Sequence, residues 1–198
     1  MDDAGAVTMN DLQILLEGFQ ARGEQEISDL RIFKKLAMEP VSFTRESLAH
    51  FTASAIVLNR EHDKILGIFH KIYQSWGWLG GHADGETDLL AVARREVLEE
   101  SGLARLTLLL ESPISIEDLT VAGHVHRKYG YVSAHLHLNV TFLFEADEAD
   151  LLRKNEEETE GIAWIPLADF VEKSTEPEMK RVYAKIISRI GELENEKE

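Results

Sequence analysis

The spacing of apolar residues changes along the chain, and each change marks a different kind of element. From Asn10 to about Gln20, Leu12, Ile14, Leu15 and Phe19 recur at helical intervals behind a capping residue, and Gln25 to Met38 repeats the pattern with Ile27, Leu30, Ile32, Phe33 and Leu36. Gly23 separates these two predicted helices, and Glu39-Pro40 ends the second because a residue before proline is pushed out of the α region. From Phe51 the pattern tightens: TASAIVLNR and ILGIFHKI, joined by a turn at Glu61 to Lys64, predict a β-hairpin. Strands are also predicted at Leu106–Leu110, at Ile114–Leu119 and at Ala134–Phe144. The last of these sets His135, His137 and Asn139 on one face and Leu136, Leu138 and Val140 on the other. IAWIPL predicts a final strand closed by Pro166, with a short helix near Leu167–Glu172 and a longer one from about Glu176 to Leu193. Residues 1–8 carry no such pattern and are expected to be disordered. Helices and strands mixed in this order suit an α/β/α sandwich with a mixed sheet.

The stretch Gly80 to Leu103, GGHADGETDLLAVARREVLEESGL, carries the densest chemistry. Asp88 is a good N-cap, Leu89 to Ser101 holds strong helix formers without Gly or Pro, and Gly102 is placed to end the helix. Around that helix Leu89, Val92, Ala93, Glu96, Glu99 and Glu100 share one side, so a stripe that begins apolar continues as carboxylates. Such neighbours repel by a few tenths of a kcal/mol per pair, and acids near a helix C-terminus also oppose the macrodipole. A hard divalent cation, Mg²⁺ or Mn²⁺, would reverse that penalty, and a Gly80-Gly81 loop would let backbone carbonyls join its shell. The bland alternative is an acidic, solvated helix end.

At these residues the sequence resembles the Nudix hydrolase superfamily, whose signature is G-x5-E-x7-R-E-U-x-E-E-x-G-U with U aliphatic. Here it runs through Gly81, Thr87, Arg95, Glu96, Val97, Glu99, Glu100, Gly102 and Leu103, and the GGHADG variant is similar to a bacterial branch in which the first Glu is often missing. Thr87 stands where the family usually has Glu, so the partner of Arg95 is left to Glu86 or Asp88. The resemblance implies a Nudix-type α/β/α sandwich and a metal-dependent hydrolase cleaving the diphosphate bond of a nucleoside diphosphate linked to another moiety. It implies metal ligation by Glu96, Glu99, Glu100 and the Gly81 carbonyl. Glu96 is then a ligand or the base, and Arg95 orients the acids. A late-loop carboxylate, Glu157 or Glu160, is a further candidate base. The alternative within the fold is a non-catalytic, nucleotide-sensing module, whose mark would be lost signature acids. Isopentenyl diphosphate isomerase chemistry is disfavoured because it uses a catalytic Cys.

Composition narrows the class. The 198 residues, 44% hydrophobic, suffice for one sizeable core, divided here into an N-terminal helical extension (1–44) and a catalytic domain (45–198). A net charge of −15 argues against binding a long nucleic-acid backbone and leaves a small phosphorylated substrate as the expected partner. The absence of Cys removes disulfides, Cys-ligated zinc and thiol nucleophiles, and no apolar run approaches membrane-spanning length. A cytoplasmic protein is expected, with no membrane partner and with a homodimer as an open alternative to a monomer. The pairs His124/His126 and His135/His137 invite a zinc or iron reading, weighed against substrate contacts and surface positions. Arg45 and His50 are read as an exposed arginine and a satisfied histidine in preference to phosphate contacts. Trp76 and Trp78 are read as packing in preference to base stacking.

Overall fold

The computed structural model describes residues 9–126, 130–155 and 159–195, the side chain of His126 excepted. The first predicted helix forms as α1 (Asp11–Gly18), and Asn10 opens it with a capping box. Its side chain accepts the Gln13 amide at 2.9 Å, and the Gln13 side chain accepts the Asn10 amide at 2.8 Å. The second helix, α2 (Gly23–Leu36), starts at the glycine expected to separate the two. Their buried faces differ from the predicted stripes: Ile14, Ile27 and Ile32 face solvent, while Leu12, Leu16, Phe33 and Glu26 are fully buried. The reason for Glu26 is an ion pair described below. A 3-10 turn follows at Pro40–Phe43.

The hairpin forms as β1 (Ala49–Leu58) and β2 (Lys64–His70). The next segment departs from expectation. β3 (Ser75–Gly77) pairs with β2, and the Gly80-Gly81 stretch read as a loop is instead strand, β4 (Leu79–His82), pairing with β1. Helix α3 (Leu89–Ser101) follows, then β5 (Thr107–Leu108) and β6 (Ser115–Val121). β7 (His124–His126) and β8 (Gly130–Val132) pair antiparallel as a separate small sheet. Then come β9 (His135–Glu145), β10 (Thr159–Pro166), α4 (Leu167–Lys173) and α5 (Pro177–Asn195).

Among the described residues, eight strands join one mixed sheet whose central path is β10-β2-β1-β9-β5. β1 and β9 run parallel through ten residue pairs, Ala49↔Leu136 to Leu58↔Glu145, and the other pairings are antiparallel. Alternation divides β1 cleanly. Phe51, Ala53, Ala55 and Val57 join the core under α1, α2 and α3, while Ile56 and Leu58 join the core under α4 and α5. The result is the expected α/β/α sandwich.

The N-terminal helices pack into this body. Leu12 and Leu16 lie in the α3-side core, each burial worth about 1.5–3 kcal/mol, and Phe33 meets Phe51 edge-on at 5.6 Å. Helix α2 also covers the outer edge of β6: Gln25 Nε2 donates to the Ile116 carbonyl at 3.2 Å, and the Asp118 amide donates to Asp29 Oδ2 at 3.1 Å. These side chains satisfy edge groups that would otherwise invite another strand. At the same seam Arg189 of α5 donates to both Glu26 oxygens, at 2.6 and 2.7 Å. Lys185 adds bonds to Glu26 at 3.1 Å and to Glu117 at 2.7 Å. Burial alone would raise the Glu26 carboxyl, but the bonds from Arg189, the Arg22 amide and Lys185 outweigh it and hold the group below its ordinary value.

Candidate active site

Helix α3 is built as its sequence suggests. Asp88 accepts the Ala91 amide at 3.0 Å, and Gly102, at φ 69°, ends the helix while donating to the Leu98 carbonyl. Leu89, Val92, Ala93 and Val97 press on the sheet. The acids farther along the stripe separate according to what they meet: Glu100 is buried, Glu96 is half-buried and Glu99 is exposed.

The pairing of β4 with β1 brings Gly80 and Gly81 against these acids. Gly81 lies opposite Ala53 on the α3 side of the sheet. A Cβ on Gly81 would fall 2.4 Å from the Glu96 carboxylate, so only glycine allows that carboxylate to lie against the strand. Gly80 is equally constrained from the sheet side, since a Cβ there would fall 2.4 Å from the Ala53 carbonyl oxygen. Its amide donates to Glu100 Oε2 at 3.0 Å. Two carboxylates from the helix and the backbone of two glycines therefore converge, an oxygen-rich donor set suited to Mg²⁺ or Mn²⁺.

Arg95 finds its carboxylate one residue before the position the signature would use. Its Nη1 donates to Glu86 Oε1 at 2.5 Å, and its Nη2 reaches Glu96 Oε1 at 3.5 Å. Thr87 instead donates to Asp11 of α1 at 3.1 Å, and Asp88 is occupied as the cap. The turn that presents Glu86 has positive φ at Asp84 and Gly85, 47° and 98°. It is tied down by Arg45, which binds both Asp84 oxygens at 2.7 and 2.8 Å. That pairing holds the Asp84 carboxyl below its usual range.

Of the late-loop acids, Glu157 lies outside the described residues. Glu160 is exposed on β10, and its carbonyl accepts from Lys154 at 3.2 Å. Trp76 and Trp78 are half-buried packing residues, edge-on to Phe69 at 5.6 Å and to Tyr183 at 5.3 Å.

On the opposite face of the sheet the histidines gather. The register pairs His50 with His137, alternation brings His135 to the same face, and His82, opposite Thr52, completes the group. Burial lowers the basicity of His82 to a pKa of about 3, with the Arg45 and His50 charges adding to the effect. Burial lowers His137 to about 2, and its His82 and His50 neighbours add to that. His50 differs from the satisfied histidine expected: Nδ1 lies 2.8 Å from the Ser47 carbonyl, but Nε2 is buried with no hydrogen-bond partner among the described residues. His124 sits apart on β7, its ring 6.3 Å from that of His135. The convergence of four rings from three strands is a feature sequence reasoning missed. Only the His135/His137 spacing signalled it.

Comparison with known proteins adds the following. The family model described as NUDIX domain matches residues 49–186. A C. elegans Ap4A hydrolase in binary complex is similar at a TM-score of 0.55 and 17% identity, over 71% of this chain and 97% of that one. The E. coli dihydroneopterin triphosphate pyrophosphohydrolase gives 0.53 and 12%, over 69% and 94%. The M. smegmatis Nudix hydrolase RenU gives 0.51 and 15%, over 74% and 86%. A search of curated protein sequences returned no match.

Proposed function

We propose that this chain, which belongs to the Nudix family and is a pyrophosphohydrolase, cleaves the diphosphate bond of a nucleoside diphosphate linked to another moiety. The observation that carries the reading is the convergence of Glu96 and Glu100 on the Gly80-Gly81 backbone, with Glu99 on the exposed side of the same helix turn. Glu96, Glu99, Glu100 and the Gly81 carbonyl would hold Mg²⁺ or Mn²⁺. When bound, the ion neutralises phosphate oxygens and lowers the pKa of an attacking water.

The chain's own residues do the rest. The Gly80 amide fixes Glu100 by a hydrogen bond. Glu96, half-buried against Gly81, is the ligand or the group that accepts the water's proton. Arg95, held by Glu86, donates toward Glu96 and orients it. The substrate class is small phosphate anhydrides, in keeping with a C. elegans neighbour named for Ap4A and an E. coli neighbour named for a triphosphate. Residues 1–44 are proposed as an extension that braces the catalytic domain 45–198, and the setting as cytoplasmic, in keeping with the absence of Cys.

The test pairs a phosphate-release screen over nucleotide sugars, ADP-ribose, dinucleoside polyphosphates and CoA with a metal thermal-shift titration of parent, Glu99→Gln and Glu100→Gln. Turnover should collapse in both variants, and Mg²⁺ should stabilise the parent more than either, because a ligand of the folded state stabilises by its occupancy. Undiminished turnover in both, or identical metal shifts in all three proteins, would return the helix end to an ordinary acidic surface.

A further inference from the structure

We infer a second metal site, separate from the carboxylates, in which His50, His135 and His137 bind one borderline divalent transition ion of the zinc class. One ligand nitrogen from each of the three lies within 4.8 Å of the other two. An ion with Zn–N bonds of about 2.1 Å needs its nitrogens about 3.4 Å apart, so side-chain rotation closes the remaining distance.

The hydrogen bonds around the cluster already select ligand tautomers. His50 Nδ1 donates to the Ser47 carbonyl and His135 Nδ1 donates to the Ser133 carbonyl, each at 2.8 Å, which leaves both Nε2 atoms as lone-pair donors. The His50 Nε2 is buried with no hydrogen-bond partner among the described residues, a cost normally avoided unless something else meets that atom. His135 Nε2 and His137 Nε2 stand 3.0 Å apart, so without an ion one proton must lie between them, and His137 supplies it. Binding would move that proton to His137 Nδ1 and turn both lone pairs onto the metal, with no net change of charge on the rings.

The sheet holds the ligands rigidly, since His50 and His137 are direct partners in the long parallel β1–β9 ladder. His82 packs against two of them, with ring centroids 5.2 Å from His50 and 4.9 Å from His137. Three imidazoles leave a fourth coordination position for water or a phosphate oxygen. Imidazole suits Zn²⁺, Co²⁺ or Ni²⁺, whereas Mg²⁺ prefers oxygen, so the two sites would sort metals by ligand chemistry.

The experiment uses the full chain after chelator treatment, with excess Mg²⁺ present to occupy the carboxylates. Co²⁺ is titrated and followed by visible d–d absorption, and Zn²⁺ is then added in competition. The parent should bind one equivalent of Co²⁺ with the intense bands of a tetrahedral, nitrogen-rich site, bleached by one equivalent of Zn²⁺. His135→Gln and His137→Gln should weaken binding by roughly a hundredfold or more, beyond the ordinary effect of losing a supporting partner. Glu99→Gln should leave the bands unchanged. The parent titration decides the matter alone if a histidine variant does not fold. Only weak octahedral bands in the parent would overturn the inference, as would bands that persist in both folded histidine variants or that vanish in Glu99→Gln.

Discussion

Changing Gly81 to Ala tests the candidate active site through one added carbon. An ideal Cβ there would lie 2.4 Å from Cδ and Oε2 of Glu96 and 2.8 Å from Oε1, where ordinary contact begins at 3.4 Å. The shortfall is about 1 Å. β4 is held by four register pairs with β1, so the half-buried Glu96 side chain is the part that gives. A misplacement of about 1 Å in a catalytic group costs on the order of a hundredfold in rate. The stability cost should stay near the lower end of overpacking, about 1 kcal/mol, because Glu96 can swing toward solvent. Steady-state kinetics in saturating Mg²⁺ and a denaturant melt, run side by side, measure both quantities. Turnover within about threefold of the parent, in a variant whose fold is intact, would refute the claim that the Glu96 carboxylate must rest against Gly81 to act.

Two further substitutions probe the frame. Glu26→Gln removes the carboxylate that joins α2 to Arg189 and Lys185, leaving the buried Arg189 guanidinium without that counter-charge, and should cost about 3 kcal/mol at neutral pH in chemical denaturation. Because the folded-state pKa of Glu26 is depressed, its contribution is present above the unfolded value near 4.5 and is lost as pH falls through the folded value; the gap between parent and variant should therefore narrow on acidification, and a constant gap would count against the ionised pair. Gly191→Ala lies on the exposed face of α5, where an added Cβ meets nothing within 4 Å, and should raise stability by about 0.5–1 kcal/mol in the same melts without changing turnover.

Much of α3 was legible because its signals are local: Asp88 caps it, Gly102 ends it, and a 3.6-residue period runs between them. The partner of Arg95 was narrowed to two residues but not chosen, since the choice depends on a turn with positive φ at Asp84 and Gly85. β4 was hidden for a physical reason. Glycine usually signals a loop, yet Gly80 and Gly81 are strand residues because β1 and Glu96 approach too closely for any side chain. The buried face of α2 was misread at Ile27 and Ile32, where Glu26 is instead drawn inward by an arginine 163 residues away in sequence, and that of α1 at Ile14, where Leu12 and Leu16 are the buried residues. The histidine cluster was half visible. The i,i+2 spacing of His135 and His137 is a strand signal, whereas His50 and His82 arrive only through the register of separate strands.

The eight residues from Ser75 to His82 pair first with β2 and then with β1, and they present Gly81 to the carboxylates and His82, one position later, to the imidazoles. A strand's side-chain period is two, so a shift of a single residue exchanges its faces. Inserting or deleting one residue here would push an imidazole into the space reserved for the absent side chain beneath Glu96 and leave a gap among the histidines. The segment is therefore intolerant to changes of length in a way that its short, glycine-rich composition conceals. Chain length here acts as a coding element, setting the phase between the two faces of the sheet.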